Sequence, residues 1–193
     1  MPDITAQIGV VAGLGGLAGY VPYILAMRRG KTHPSRAGWW IWTGVGFMLL
    51  LTSYSTGTRD GIWVPLAYVV GPLVVALYSF KHGEGGWEFS DKLCLLLAAT
   101  SIFIWWSTGS AELALAASLV ADTSGAWPTL KKAYLDPAGE DRTAWGIWFP
   151  ANTLNLLAVH HWTPILWAYP VYMVVASGLI SACVFFRPRR AAL

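Results

Sequence analysis

Charged residues punctuate this chain at intervals that match the thickness of a membrane. A helix crossing a hydrocarbon core of about 30 Å needs roughly 20 apolar residues. Between Asp3 and Arg28 lie 24 uncharged residues, and between Arg36 and Arg59 lie 22. Gly61 to Phe80 gives 20 more, and Leu93 to Ala111 gives 19. Leu113 to Leu130 is broken only by Asp122, and Thr143 to Phe186 runs for 44 residues without a charge. That last run accommodates two helices, with His160-His161-Trp162-Thr163-Pro164 as the turn between them. The pattern predicts seven spans and an all-α membrane protein.

Composition agrees with the spacing. Only 12% of the 193 residues are charged and 55% are hydrophobic, with mean hydropathy +0.50. A soluble domain carries about 25% charged residues, so a soluble enzyme, a nucleic-acid reader and a disordered chain are all excluded. Cys94 and Cys183 both lie in apolar runs and read as core thiols.

Basic residues favour the cytoplasmic side of a membrane. With the N-terminus outside, the inner segments hold 12 of the 13 Lys and Arg, and only Arg59 falls outside. The expectation is N-out and C-in, multi-pass in the cell (inner) membrane. The first residues, Met-Pro-Asp, lack the basic start of a signal peptide, so the first span is expected to be retained.

Self-comparison shows a repeat at an offset of 106. Pro22 falls on Pro128, Arg36 on Arg142, Trp39 on Trp145, Trp42 on Trp148 and Gly19 on Gly125. Helices 1–3 (residues 1–81) thus repeat as helices 5–7 (110–187). Helix 4 (90–109) is the connector, and 188–193 form a short inner tail. Three spans is an odd number, so the connector restores the orientation and makes the repeat parallel.

Gly19-Tyr-Val-Pro-Tyr-Ile-Leu-Ala-Met-Arg-Arg-Gly-Lys followed by a Trp-rich helix resembles a PQ-loop motif. Trp127-Pro-Thr-Leu-Lys-Lys-Ala-Tyr with Trp145-Gly-Ile-Trp148 resembles its second copy. The chain is similar in its 3+1+3 layout to the PQ-loop/SWEET superfamily. That resemblance implies a small-molecule transporter with hinge prolines, here Pro22, Pro128 and Pro150, and with Gly44 at the fourth place. Tyr23 and Thr129 stand where the motif has Gln, and neither third helix carries the Asn of SWEET sugar transporters. Trp145-x-x-Trp148-x-x-x-Asn152 resembles the sixth helix of nicotinamide riboside transporters.

Depth can be counted at about 1.5 Å per residue from the basic anchors. Asp122 lies roughly 13.5 Å in, and Asn152 and Ser177 roughly 15 Å in by the same rise. At the 106 offset their partners are Gly16, Gly46 and Gly71, so the second repeat brings polar groups where the first brings none. The expected site is at mid-membrane, between the repeats. An intramembrane carboxylate usually faces a cavity or a partner, which makes Asp122 a candidate proton carrier or counter-ion. The plainer alternative is an acid hydrogen-bonded to a neighbouring helix. Trp145, Trp148, Asn152 and Asn155 form one helical stripe that could grip a polar or ring-shaped ligand, or could pack between helices. Trp42 and Trp148 lie too deep for headgroup anchors, whereas Trp39, Trp40, Trp63, Trp145 and Trp162 read as belt residues. Tyr20, Tyr23 and Tyr68 line the path or pack, and the glycines of helix 1 read as close helix packing.

The expected function is an alternating-access transporter of a small polar or aromatic metabolite: a sugar, an amino acid or a vitamin precursor such as nicotinamide riboside. Trp42, Asp122, Trp148, Asn152, Asn155 and Ser177 would bind substrate, and Asp122 would couple to protons. The lipid bilayer and the substrate are the expected partners, with homo-oligomerisation open and no nucleic acid. The alternative is a receptor of the KDEL-receptor kind, which would need a basic cavity, and no span carries Lys or Arg. An enzyme would need clustered catalytic groups at one depth, which the chain lacks. A retinal photoreceptor would need a Lys on the last helix. No cofactor or metal is expected.

Overall fold

The computed structural model describes residues 4–55, 63–85, 89–159 and 162–188. Among them are seven α-helices: α1 (Ile4–Arg28), α2 (Arg36–Ser55), α3 (Trp63–His82), α4 (Phe89–Thr108), α5 (Ala111–Leu135), α6 (Arg142–Leu157) and α7 (Pro164–Phe186). A 3-10 turn, Pro137–Gly139, joins α5 to α6. No strand occurs among the described residues. His160, His161, Arg59 and the side chain of Trp63 lie outside them.

Local chemistry fixes the helix ends. α1 stops at Gly30, whose φ of 65° is the left-handed conformation that glycine adopts freely. The Lys31 N–H then reaches Ala26 O at 2.9 Å and the Gly30 N–H reaches Met27 O at 3.0 Å, closing the last turn. α6 starts on Asp141, whose carboxylate accepts from the Ala144 N–H at 2.7 Å. Ser35 does the same for α2, accepting from the Gly38 N–H at 3.3 Å.

Two of these helices are long and apolar enough to cross a membrane, over Gln7–Arg28 and Leu166–Phe186. Within α4 the stretch Leu95–Thr108 is apolar but shorter, and α6 has only 16 residues.

The chain divides into two compact units. One comprises residues up to Thr32 together with those from Leu130 onward: α1, the end of α5, the 3-10 turn, α6 and α7. Here α1 packs along α6, and α6 along α7. The other comprises His33–Thr129: α2 packed on α3, α4 against α2, and most of α5. Its core joins Ile41 and Val45 of α2 to Ala121 of α5, with Leu95 of α4 against them. Each unit therefore takes the first helix of one repeat and the second and third helices of the other, so packing cuts across the boundaries at 81 and 110.

Inside the units, residues 106 apart do the same work. Arg36 donates from Nε to Ser79 O (3.1 Å) and from Nη2 to Gly83 O (3.1 Å) near the end of α3. Arg142 donates to Val184 O (3.0 Å) and Phe185 O (3.4 Å) at the end of α7. At Nε the arginines pair Ser79 with Val184, an offset of 105 that Pro65 and Pro170 keep, and at Nη2 they pair Gly83 with Phe185, an offset of 102, so the offset of 106 does not carry through the ends of the third helices.

Candidate functional site

The sequence Asp122-Thr-Ser-Gly125 puts a carboxylate and a bare backbone one turn apart on the same face of α5. Opposite them is Trp42 of α2. A Cβ on Gly125 would lie 3.2 Å from Cδ1 of that indole and 3.0 Å from Ile41, so glycine makes the close approach possible. The Trp42 Nε1–H donates to Asp122 Oδ1 at 2.6 Å. Asp122 is 3% exposed. Trp39, one turn before Trp42, meets it edge-on with centroids 4.9 Å apart.

The other unit builds the same corner without the charge. Trp148 of α6 donates from Nε1 to the backbone oxygen of Gly16 at 2.9 Å. Gly16 is the 106-residue partner of Asp122. Gly19, the partner of Gly125, again clears the space, since a Cβ there would sit 2.6 Å from Trp148 Cδ1. Trp145 meets Trp148 edge-on at 5.1 Å, as Trp39 meets Trp42. Tyr20 and Tyr23 of α1 pack on the Trp148 ring at 5.2 and 5.3 Å.

The six expected binding residues thus divide between the units: Trp42 and Asp122 in one, Trp148, Asn152, Asn155 and Ser177 in the other. Asn152 and Ser177 are buried and Asn155 half-buried. Ser177 donates back to Met173 O of its own helix. α1, α5 and α6 each continue through their proline, Pro22, Pro128 and Pro150.

The glycine partners are not all empty places. A Cβ on Gly16 would meet nothing within 4 Å, but one on Gly46 would run into the Tyr68 backbone. Gly46 therefore serves close packing of α2 on α3. The belt reading also fails for Trp39 and Trp145, which are 2% and 4% exposed and hold internal contacts. Trp162 is exposed and Trp40 packs on Phe80 at 5.5 Å.

Sequence reasoning passed over Glu140. It sits outside the spans, in the link between α5 and α6, yet is 1% exposed. Tyr23 Oη–H donates to its Oε2 at 3.1 Å and Trp145 Nε1–H to the same oxygen at 2.9 Å. Lys132 Nζ lies 3.3 Å from Oε1. Burial pushes this carboxyl up from the ordinary value, and the Lys132 charge with the Trp145 and Tyr23 hydrogen bonds draws it part of the way back. No sequence period marks Glu140, because a turn rather than a helix face delivers it inward. Among the described residues no three of His, Cys, Asp and Glu gather as a metal-holding group.

Neither family models nor curated proteins match this chain.

Proposed function

We propose that the chain is a seven-span, N-out and C-in membrane transporter of the SWEET/PQ-loop type. It would move a small polar or aromatic metabolite by alternating access, with Asp122 as its charged element. The observation that carries this reading is polarity turned inside out. Thr43, Ser118, Asp122, Ser124, Asn152 and Ser177 are buried, while large apolar side chains face outward. Val10, Leu14, Leu17, Val21 and Leu25 form one exposed stripe along the length of α1. A water-soluble protein rarely leaves so long an apolar face uncovered, whereas in lipid it is the favourable side and buried polar groups hold the helices together. This extends the membrane reading beyond α1 and α7, the two helices that are long and apolar enough by themselves.

An intramembrane carboxylate is costly and is kept for a partner or a substrate. Asp122 has the Trp42 indole on it, and the same scaffold closes on a neutral carbonyl in the twin corner. A buried carboxyl on the N–H edge of an indole suits proton coupling or a substrate with positive charge.

The test is a thermal-shift screen of the purified protein against sugars, amino acids and nucleoside-like vitamins, followed by flux of each hit in liposomes. Uptake of a hit is expected, and Asp122→Asn should lose accumulation driven by a proton gradient while keeping exchange. Tight binding with no flux would replace the transporter with a receptor. Undiminished uphill uptake by Asp122→Asn would remove Asp122 from coupling.

A further inference from the structure

The link from α5 to α6 carries three acids, and two of them have structural employment. Asp136 caps the 3-10 turn through the Ala138 N–H, and Asp141 caps α6 through the Ala144 N–H. Glu140 turns inward instead and meets three elements at one carboxylate: Tyr23 of α1, Lys132 of α5 and Trp145 of α6. The tight turn makes this possible. A Cβ on Gly139 would lie 3.0 Å from Lys132 Cε and 2.8 Å from Asp136 Oδ2, so glycine lets the lysine fold across. Lys132 also donates to Gly139 O at 3.0 Å. Tyr23 is the residue just past Pro22, at the point where α1 lacks a backbone donor.

The twin corner shows that the fold does not need this charge. At the 106 offset, Glu140, Lys132 and Tyr23 are replaced by Pro34, Ala26 and Thr129. Pro34 is fully buried, and its carbonyl accepts from the Glu84 N–H at 2.9 Å, while the Arg36 N–H donates to Glu84 O at 3.1 Å. One corner closes with backbone bonds and the other with a buried acid.

We propose that Glu140 is a proton-binding site whose occupancy sets how firmly the Arg28 end of α1 is clamped to the α5–α6 corner. With the proton on, the neutral acid stays buried under the Tyr23 and Trp145 donors, and Lys132 keeps Gly139 O. With the proton off, a desolvated anion has one cation beside it, and opening to water relieves the cost. Of the other ionisable groups beside the α5–α6 link, Asp136 and Asp141 serve as caps and Arg142 holds the α7 carbonyls, while Arg28, Arg29 and Lys131 are exposed.

The sign follows from burial. The closed state holds the proton more tightly than the open state, because burial raises the Glu140 value when closed. Closure is therefore fully favoured below the ordinary carboxylate range. It weakens as pH rises through the raised value, with the open-to-closed ratio growing at most about tenfold per pH unit inside that window.

The inference does not rest on transport, and its test needs no substrate. Spin labels on Arg28→Cys and Thr143→Cys, both exposed sites of one unit, are placed in the full chain with Cys94→Ser and Cys183→Ser. Their distance is read in detergent between pH 4.5 and 8. A short distance is expected at low pH, with a longer population growing as pH rises. Glu140→Gln, which keeps an acceptor for Tyr23 and Trp145, should hold the short distance throughout. Lys132→Met, which removes the cation that favours the anion, should move the closed-state titration upward. A distance that ignores pH in the parent, or a Glu140→Gln profile equal to the parent's, would overturn the proposal.

Discussion

Two tryptophans, Trp42 and Trp148, occupy the same place in two copies of one scaffold and end on different acceptors. Each is the second indole of an edge-on pair, and each lies over a glycine that clears its ring. One donates to a buried carboxylate at 2.6 Å and the other to a backbone carbonyl at 2.9 Å. The Gly16 carbonyl comes with the backbone of α1. The side-chain carboxyl is an addition, and an ionisable one in a buried setting, so it is the part that structure alone does not require. The same asymmetry recurs at the other end of the repeat, where Glu140 stands against Pro34. In both cases the second repeat carries the acid.

The most severe way to break the likeness is to fill the space under one indole. Gly19→Ala would put a methyl within 2.6 and 2.8 Å of Trp148 Cδ1 and Cε2. A planar ring held between Tyr20, Tyr23 and Trp145 has nowhere easy to go, so the Gly16 bond should be lost. A cost of about 3 kcal/mol is expected, at the upper end of overpacking. Gly125→Ala meets an Ile41 methyl and one edge of Trp42 at 3.0–3.2 Å, and should cost about 1 kcal/mol by the same reasoning. Thermal unfolding of the two variants in one detergent decides it, and equal shifts would mean that the corners are packed alike.

A gentler substitution separates the acceptors. Trp42→Phe removes the indole hydrogen bond to the buried Asp122 carboxyl and should cost about 2 kcal/mol. Trp148→Phe removes a neutral bond to a carbonyl on a helix and should cost about 1 kcal/mol. Unfolding midpoints of the single variants, and of each paired with Asp122→Asn, give the coupling. Asp122→Asn should shrink the Trp42→Phe effect and leave the Trp148→Phe effect unchanged, because Trp148 donates to Gly16 O and not to Asp122.

Much of this was legible because it depends on counting. Rare residues at a fixed offset exposed the twin corners before any geometry was known, since Trp39, Trp42, Arg36 and Gly19 each have one identical partner. Two things escaped the count. The arginine contacts at the ends of α3 and α7 depart from the 106 offset, so a single offset does not fix which residue of α3 matches Ser177. Burial outside a helix face has no period, so no pattern in the sequence singles out Glu140. Conversely, the belt reading of Trp39 and Trp145 followed from depth alone, and depth does not say which side of a helix a ring takes. Gly46 looked like an empty place and proved to be a contact, because a missing side chain admits a neighbour's backbone as readily as a ligand.

The smallest expected difference lies at the helix starts. Ser35 and Asp141 cap α2 and α6 in the same way, but the serine bond is 3.3 Å and the aspartate bond 2.7 Å. A carboxylate also meets the positive end of the helix dipole, which a hydroxyl does not, worth about 0.3–1 kcal/mol at a partly exposed site. Asp141→Ser should therefore cost about 0.5 kcal/mol, and salt should narrow the gap. The reverse exchange should not give the same gain. Ser35 is 8% exposed whereas Asp141 is half-buried, and Ser35 pairs with the backbone of Glu84, another acid. Desolvation and that like charge outweigh the dipole, so Ser35→Asp should destabilise by about 1 kcal/mol. Unfolding midpoints at low and high salt test both. A stabilised Ser35→Asp would show that the first corner is wetter than its burial implies, and that its lack of a buried acid reflects something other than solvation.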